Sequence, residues 1–185
     1  MPAPRPLRFD PIAEAARNWE RAGWADAAPG MTLVTSIMRA HQILLARVDA
    51  DLAPFQLTFA RFEVLMLLDF SRTGRLPLSK IGERLQVHPA SVTNAIDRLE
   101  LDSLVERVEH PTDRRTTLAA ITRAGRRRVR IAAKALNEGV FGQPGLAGDQ
   151  LTNTVASLAE LRRASNDFAT EAPHDVAPAT RSTTA

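Results

Sequence analysis

The sequence predicts a mainly helical (α+β) fold with one short two-stranded ribbon, and three observations carry that expectation. Apolar residues recur every three or four positions through most of the chain, as one buried helix face requires. Two β-rich runs, Leu104 to Val108 and Thr116 to Ile121, flank a charged turn, His110-Pro111-Thr112-Asp113-Arg114-Arg115. Pro54, Gly74 and the Gly139 to Gly148 stretch mark breaks between the periodic segments.

Taken in order, Asp10 to Trp24 predicts a short helix with Ile12, Ala16 and Trp19 on one face. Ala28-Pro29-Gly30 predicts a break. A long helix should then run from Met31 to Ala53, because Val34, Ile37, His41, Leu44, Val48 and Leu52 step close to a heptad seam. Pro54 should end it. Thr58 should cap a third helix whose Phe59, Phe62, Leu65 and Met66 point inward and which stops near Ser71 to Gly74. Ser79 should cap a short helix, Lys80 to Leu85, followed by the turn Gln86-Val87-His88. Pro89 suits the first position of the next helix, where its missing N–H costs nothing. That helix has Val92, Ile96 and Leu99 on its packing face. After the ribbon, Thr122 should cap a helix to about Glu138, and Asp149 a last one carrying Leu151, Val155, Leu158 and Leu161. Between them, Gly139 to Gly148 reads as a break.

Helix, tight turn, helix and ribbon in this order predict a winged helix-turn-helix flanked by N- and C-terminal helices. The flanking stripes are too long and too apolar for the small winged domain to bury alone. A homodimer is the economical way to cover them, and an intramolecular bundle is the alternative. The expected organisation is a disordered tail at residues 1–9, N-terminal dimerisation helices at 10–55, the winged domain at 56–122, C-terminal dimerisation helices at 123–169 and a second disordered tail at 170–185. Both tails are too poor in apolar residues to order themselves.

Composition narrows the function. The chain has 185 residues, 44% hydrophobic and 24% charged, with a net charge of +3. Its arginines are unevenly placed: Arg107, Arg114, Arg115, Arg123, Arg126, Arg127, Arg128 and Arg130 crowd one segment, broken only by Glu109 and Asp113. After a helix-turn-helix, such a run favours contact with double-stranded DNA over a merely solvated face. There is no cysteine, hence no disulfide or thiolate ligand, and the histidines do not fall at metal-ligand spacing with carboxylates. No metal or cofactor is expected. No apolar run approaches about 18 residues, and the start lacks a signal-like apolar core, so no membrane partner and a cytoplasmic location are expected. A Gly-rich phosphate loop, a nucleophile elbow and an HExxH motif are all missing, which argues against an enzyme.

The helix that starts at Pro89 frees Ala90, Ser91, Asn94 and Arg98 opposite its packing face. Asn94 suits an adenine and Arg98 a guanine in a major groove, although Arg98 could instead pair along its own helix with Asp102. Ser79 and Thr93, with hydroxyls near helix N-termini, suit phosphates, and His88 in the turn could reach one. The rival reading is a winged domain used for protein contact only.

The segment LPLSKIGERLQVHPASVTNAIDRLELDSLVERV and the wing residues Asp113, Arg115, Ala119, Ile121, Thr122 and Gly125 resemble the MarR (multiple antibiotic resistance regulator) family, over roughly residues 31–168. The wing residues match its D-x-R, apolar pair and L-T-x-x-G pattern. Two positions depart from it: Ala119 stands where a larger β-branched residue is usual, and Ser103 where glycine is usual. Ser103 must adopt a left-handed conformation, at about 1 kcal/mol, or shift the turn. The resemblance implies a homodimer that binds a near-palindromic operator, commonly as a repressor, and that a small aromatic or anionic effector often releases. A regulator with no ligand response, or an activator, is the alternative. The resemblance also implies that Arg115 enters or lies beside the minor groove, that Arg114 is a second wing contact, and that Asp113 positions the wing. Trp19 on an extra helix, together with Asn94, resembles a urate- and polycarboxylate-responsive branch. That branch has aspartate where this chain has Glu63. Trp19, Arg39, His41, Arg61 and Phe62 are therefore candidate ligand-pocket residues, against the reading that Trp19 only docks the extra helix and His41 only packs.

Overall fold

A computed structural model describes residues 7–113 and 115–169. The expectations for the outer tails, 1–6 and 170–185, and for Arg114 lie outside the described residues. The chain divides into two compact units, 1–47 and 48–185.

In the first unit, helix α1 (Pro11–Arg21) starts as its sequence demands. The Asp10 carboxylate accepts the Ile12 N–H at 2.9 Å, with Pro11 in the first turn. A 3-10 turn, Ala25–Ala27, leads into α2 (Ala28–Leu52), and Trp19 meets Trp24 edge to face at 5.4 Å. The expected break at Ala28-Pro29-Gly30 is corrected: these residues form the first turn of α2. A proline is tolerated there because first-turn N–H groups have no helical partner anyway.

The second unit begins with the end of α2. Helix α3 (Phe59–Phe70) is capped by Thr58, whose hydroxyl oxygen accepts the Arg61 N–H at 3.4 Å. A strand β1 (Arg75–Pro77) precedes α4 (Leu78–Leu85) and α5 (Pro89–Leu101). Strands β2 (Val105–Glu109) and β3 (Thr117–Ile121) form the wing, followed by α6 (Arg123–Glu138) and α7 (Gly148–Ala164). The expected two-stranded ribbon is corrected to three antiparallel strands in the order β1-β3-β2, with Leu76 opposite Ala119 and Val108 opposite Leu118. Ala119 lies fully buried at the centre of this sheet, between Leu76 and Arg107 in register. Two expected caps are also corrected. Ser79 sits inside α4, whose N-cap is Pro77, and Asp149 lies in the first turn of α7, whose N-cap is Ala147.

One core joins the winged elements. Leu52, Leu65, Leu68, Ile81, Ile96, Leu99, Leu104, Val129 and Leu136 are essentially solvent-free. Burial of each such side chain contributes roughly 1.5–3 kcal/mol before the entropy cost of ordering it. Ser103 takes the left-handed alternative, with φ +57, and ends α5: its N–H reaches the Glu100 carbonyl at 2.9 Å, and Leu104 N–H reaches Leu99 O at 2.8 Å. The carbonyl of Leu104 then accepts the Thr122 N–H at 3.0 Å, and the Thr122 hydroxyl oxygen accepts the Gly125 N–H at 3.0 Å. A Cβ on Gly125 would lie 2.2 Å from that same Leu104 oxygen. The threonine and glycine therefore have one geometric purpose, which is to seat the first turn of α6 directly against the segment that ends α5.

The outer helices are unfinished by comparison. Helix α7 has no buried residue, and on α2 Leu33, Val34 and Met38 are more than half exposed.

Candidate nucleic-acid interface

Helix α5 separates its residues as the spacing predicts. Val92, Ile96 and Leu99 are buried, while Ala90, Ser91, Thr93, Asn94 and Arg98 are exposed. His88 is more than a turn residue: its Nδ1 accepts the Ala90 N–H at 3.2 Å and so caps α5. The Thr93 hydroxyl donates back to the Pro89 carbonyl at 3.1 Å, while its oxygen keeps acceptor capacity only. Ser79 and Thr93 both line a largely apolar groove of about 520 Å³ between α4 and α5.

Asp102 pairs with Arg61 at 3.4 Å, and Arg61 also donates to the Thr58 hydroxyl at 3.3 Å. The intrahelical pair between Arg98 and Asp102 is thus replaced by a bridge from the end of α5 to the start of α3. The Arg98 guanidinium has no partner among the described residues. A shallow cavity of about 540 Å³ brings Thr58, Arg61, Ser91, Asn94 and Arg98 together. Arg61, a candidate ligand residue, lies on α3 beside the exposed face of α5.

Not all the clustered arginines are free cations. Arg107 is clasped by Asp97 and Glu100 of α5, which raises its pKa further and ties β2 to that helix. Arg126 and Arg130 share the Asp69 carboxylate at 2.8 and 2.9 Å, pinning α6 to the end of α3. These tethers escaped the sequence because their carboxylates lie as far as 61 residues away.

At the wing tip, the Asp113 carboxylate accepts the Thr116 hydroxyl at 2.7 Å and the Arg115 backbone N–H at 3.0 Å. Those two bonds, in that order, hold its pKa below the usual carboxylate value. His110 Nδ1 lies 3.2 Å from the Asp113 N–H, closing the turn from the other side. The Arg115 side chain is left exposed, with no ion pair among the described residues.

The candidate ligand residues are divided between the two units. Trp19, Arg39 and His41 belong to the first unit, where Arg39 donates to Gln42 at 3.2 Å and His41 is exposed. Phe62 belongs to the second, where it is 6% exposed and stacks on Phe59. The neighbouring Glu63 is pushed above the usual carboxylate range by burial. No group of three or more His, Cys, Asp or Glu side chains able to hold a metal occurs among the described residues. Among them, too, no helix is long and apolar enough to cross a membrane.

The MarR family model matches residues 57–117, from the cap of α3 to the start of β3. The crystal structure of Sco5413, a MarR family transcriptional regulator from Streptomyces coelicolor, is 49% identical, with a TM-score of 0.69 over 76% of this chain and 97% of that one. BpsR of Bordetella bronchiseptica, whose DNA binding is regulated by 6-hydroxynicotinic acid, is 26% identical, with a TM-score of 0.62 over 71% of this chain and 91% of its own. The HTH-type transcriptional regulator MhqR of Bacillus subtilis is 33% identical over 95 residues, 51% of this chain and 64% of MhqR. The chain thus spans less than two thirds of the length of the curated relatives it matches. With nearly the whole of Sco5413 covered at close to half identity, the chain belongs to the MarR family of DNA-binding transcriptional regulators.

Proposed function

We propose that this regulator works as a homodimer that represses from a near-palindromic operator and is released by a small aromatic or anionic molecule. The observation that carries the DNA reading is the uncompensated charge of Arg98 and Arg115, the first on α5, whose other face is buried, and the second on a wing turn whose backbone Asp113 holds. Ser91 and Asn94 stand beside Arg98 on the same exposed face, so one helix offers a donor set for base edges. Arg115 reaches from the wing towards the minor groove or its phosphates, and Asp113 orders the backbone that carries it.

The dimer reading rests on the uncovered stripes of α2 and α7, which a second copy would bury. The ligand reading rests on BpsR alone, whose DNA binding responds to 6-hydroxynicotinic acid.

Selection of bound duplexes from random DNA, followed by footprinting of the winner, tests the reading. Two protected half-sites about 34–36 Å apart, one helical turn, are expected of a two-fold dimer. A single protected half-site, or no enriched sequence from a folded protein, contradicts it. Release of that duplex by a panel of aromatic and anionic compounds tests the ligand step.

A further inference from the structure

Helix α6 has two chemically different flanks. On one, Arg126 and Arg130 are neutralised by Asp69. On the other, Ala124, Arg127, Arg128 and Ile131 follow the i, i+3, i+4, i+7 pattern of a single helix face. That face forms one wall of a cleft of about 380 Å³, and Pro54, Phe55 and Gln56 form the other. No carboxylate lines the cleft, and neither guanidinium has an ion-pair or hydrogen-bond partner among the described residues. Its only formal charges are therefore two arginines at successive positions of one helix.

We propose that this cleft is an oxyanion site in which Arg127 and Arg128 hold a phosphate group. Guanidinium groups present planar N–H forks that match phosphate oxygens, and such charge-assisted bonds are stronger than neutral ones. Successive helix positions point about 100° apart, so the two side chains can approach one anion from different sides rather than stack on each other. The Gln56 side-chain amide on the opposite wall can add a donor. The side chains of Pro54, Phe55 and Ile131 are apolar and add no acceptor to compete for the guanidinium N–H groups. Two sources offer the same chemistry: a backbone phosphate of DNA flanking the residues read by α5, and the phosphate of a free small molecule. The first source rests on the regulator reading; the anion site itself does not.

The test follows the backbone amide NMR signals of Phe55, Gln56 and Ala124, which line the cleft, in the full chain during titration with inorganic phosphate, against chloride at equal ionic strength. A saturable, phosphate-specific shift is expected. It should weaken at least about ten-fold in the Arg127→Gln/Arg128→Gln variant, and Lys134→Gln, a charge change on the same helix outside the cleft, should leave it intact. Signals that respond no more to phosphate than to chloride overturn the site, whatever the DNA data show. Once the site is confirmed, the salt dependence of duplex binding assigns its source. A slope reduced by about two in the double variant identifies backbone phosphates, and an unchanged slope identifies a free phosphate-bearing molecule. If the wild-type protein binds no duplex, the regulator reading fails while the phosphate titration still decides the site.

Discussion

The winged unit and the helices α2 and α7 are incomplete in opposite ways. The winged unit has a closed apolar core, with Leu65, Leu68, Ile81, Ile96 and Leu99 out of solvent, yet it carries arginines with no counter-charge. The outer helices pair several of their charges, as Arg163 does with Glu160, but leave Val34, Met38, Val155 and Leu161 in water. A folded chain tolerates an unpaired exposed cation cheaply, because water solvates it. It does not maintain long uncovered apolar stripes without a reason. On the proposed reading, the winged unit takes a polyanion, whereas α2 and α7 take another protein surface, most economically a second copy.

That comparison can be broken at several points. The largest effect is expected from placing a charge in the uncovered stripes. Val34→Glu or Val155→Glu should leave the single chain folded but oppose dimerisation by roughly 3–5 kcal/mol, because the carboxylate would be buried unpaired. Sedimentation should then report monomers, and unchanged dimer mass would place the interface elsewhere.

Next comes Gly125→Ala, which tests how tightly α5 and α6 are joined. Alanine gains about 1 kcal/mol of helix propensity. Against this, its Cβ meets the Leu104 carbonyl oxygen, a backbone atom that cannot swing away. Overpacking of this kind costs about 3 kcal/mol, so a net loss of about 2 kcal/mol is expected by denaturant unfolding. Equal or greater stability would show that the junction gives way easily.

Arg98→Ala should cost roughly 1–2 kcal/mol in operator binding, concentrated at one base position. A uniform loss at every position would move Arg98 from base reading to phosphate contact.

The smallest effect concerns the wing tip. The Asp113 carboxylate is held below its ordinary value in the folded state by the Thr116 hydroxyl and the Arg115 backbone N–H. Its contribution is therefore present above the unfolded value and is lost as pH falls through the lower folded one. NMR signals of Arg115 and Thr116 should remain those of the ordered tip near pH 4 and collapse only in stronger acid. In Asp113→Asn, that transition should vanish. Loss of the tip signals near pH 5 would contradict the hydrogen-bond pattern.

Much of this was legible in the sequence, because helix faces and caps are local properties. The periodicity of Val92, Ile96 and Leu99 predicts the buried side of α5, Thr58 and Thr122 cap the helices they precede, and Ser103 adopts one of its two expected conformations. What was not legible depends on distant partners. Strand β1 has three residues, one of them proline, and is a strand only because β3 runs beside it. The arginine cluster looked uniform, but Asp69, Asp97 and Glu100 remove Arg107, Arg126 and Arg130 from it. Asp102 sits four residues after Arg98 and still chooses Arg61, which the fold brings to the same edge. Pro77 displaced Ser79 as the start of α4 because a proline ending a strand already fixes the chain's entry angle.

The proposed assembly is a dimer whose uncompensated arginines meet a DNA backbone. The most direct test is to measure the stoichiometry and salt dependence of binding to a selected palindromic duplex in one titration series. Two chains per duplex are predicted, with affinity falling steeply and linearly on a logarithmic salt scale and with a shallower slope for Arg115→Ala. One chain per duplex, or an affinity indifferent to salt, would contradict the account.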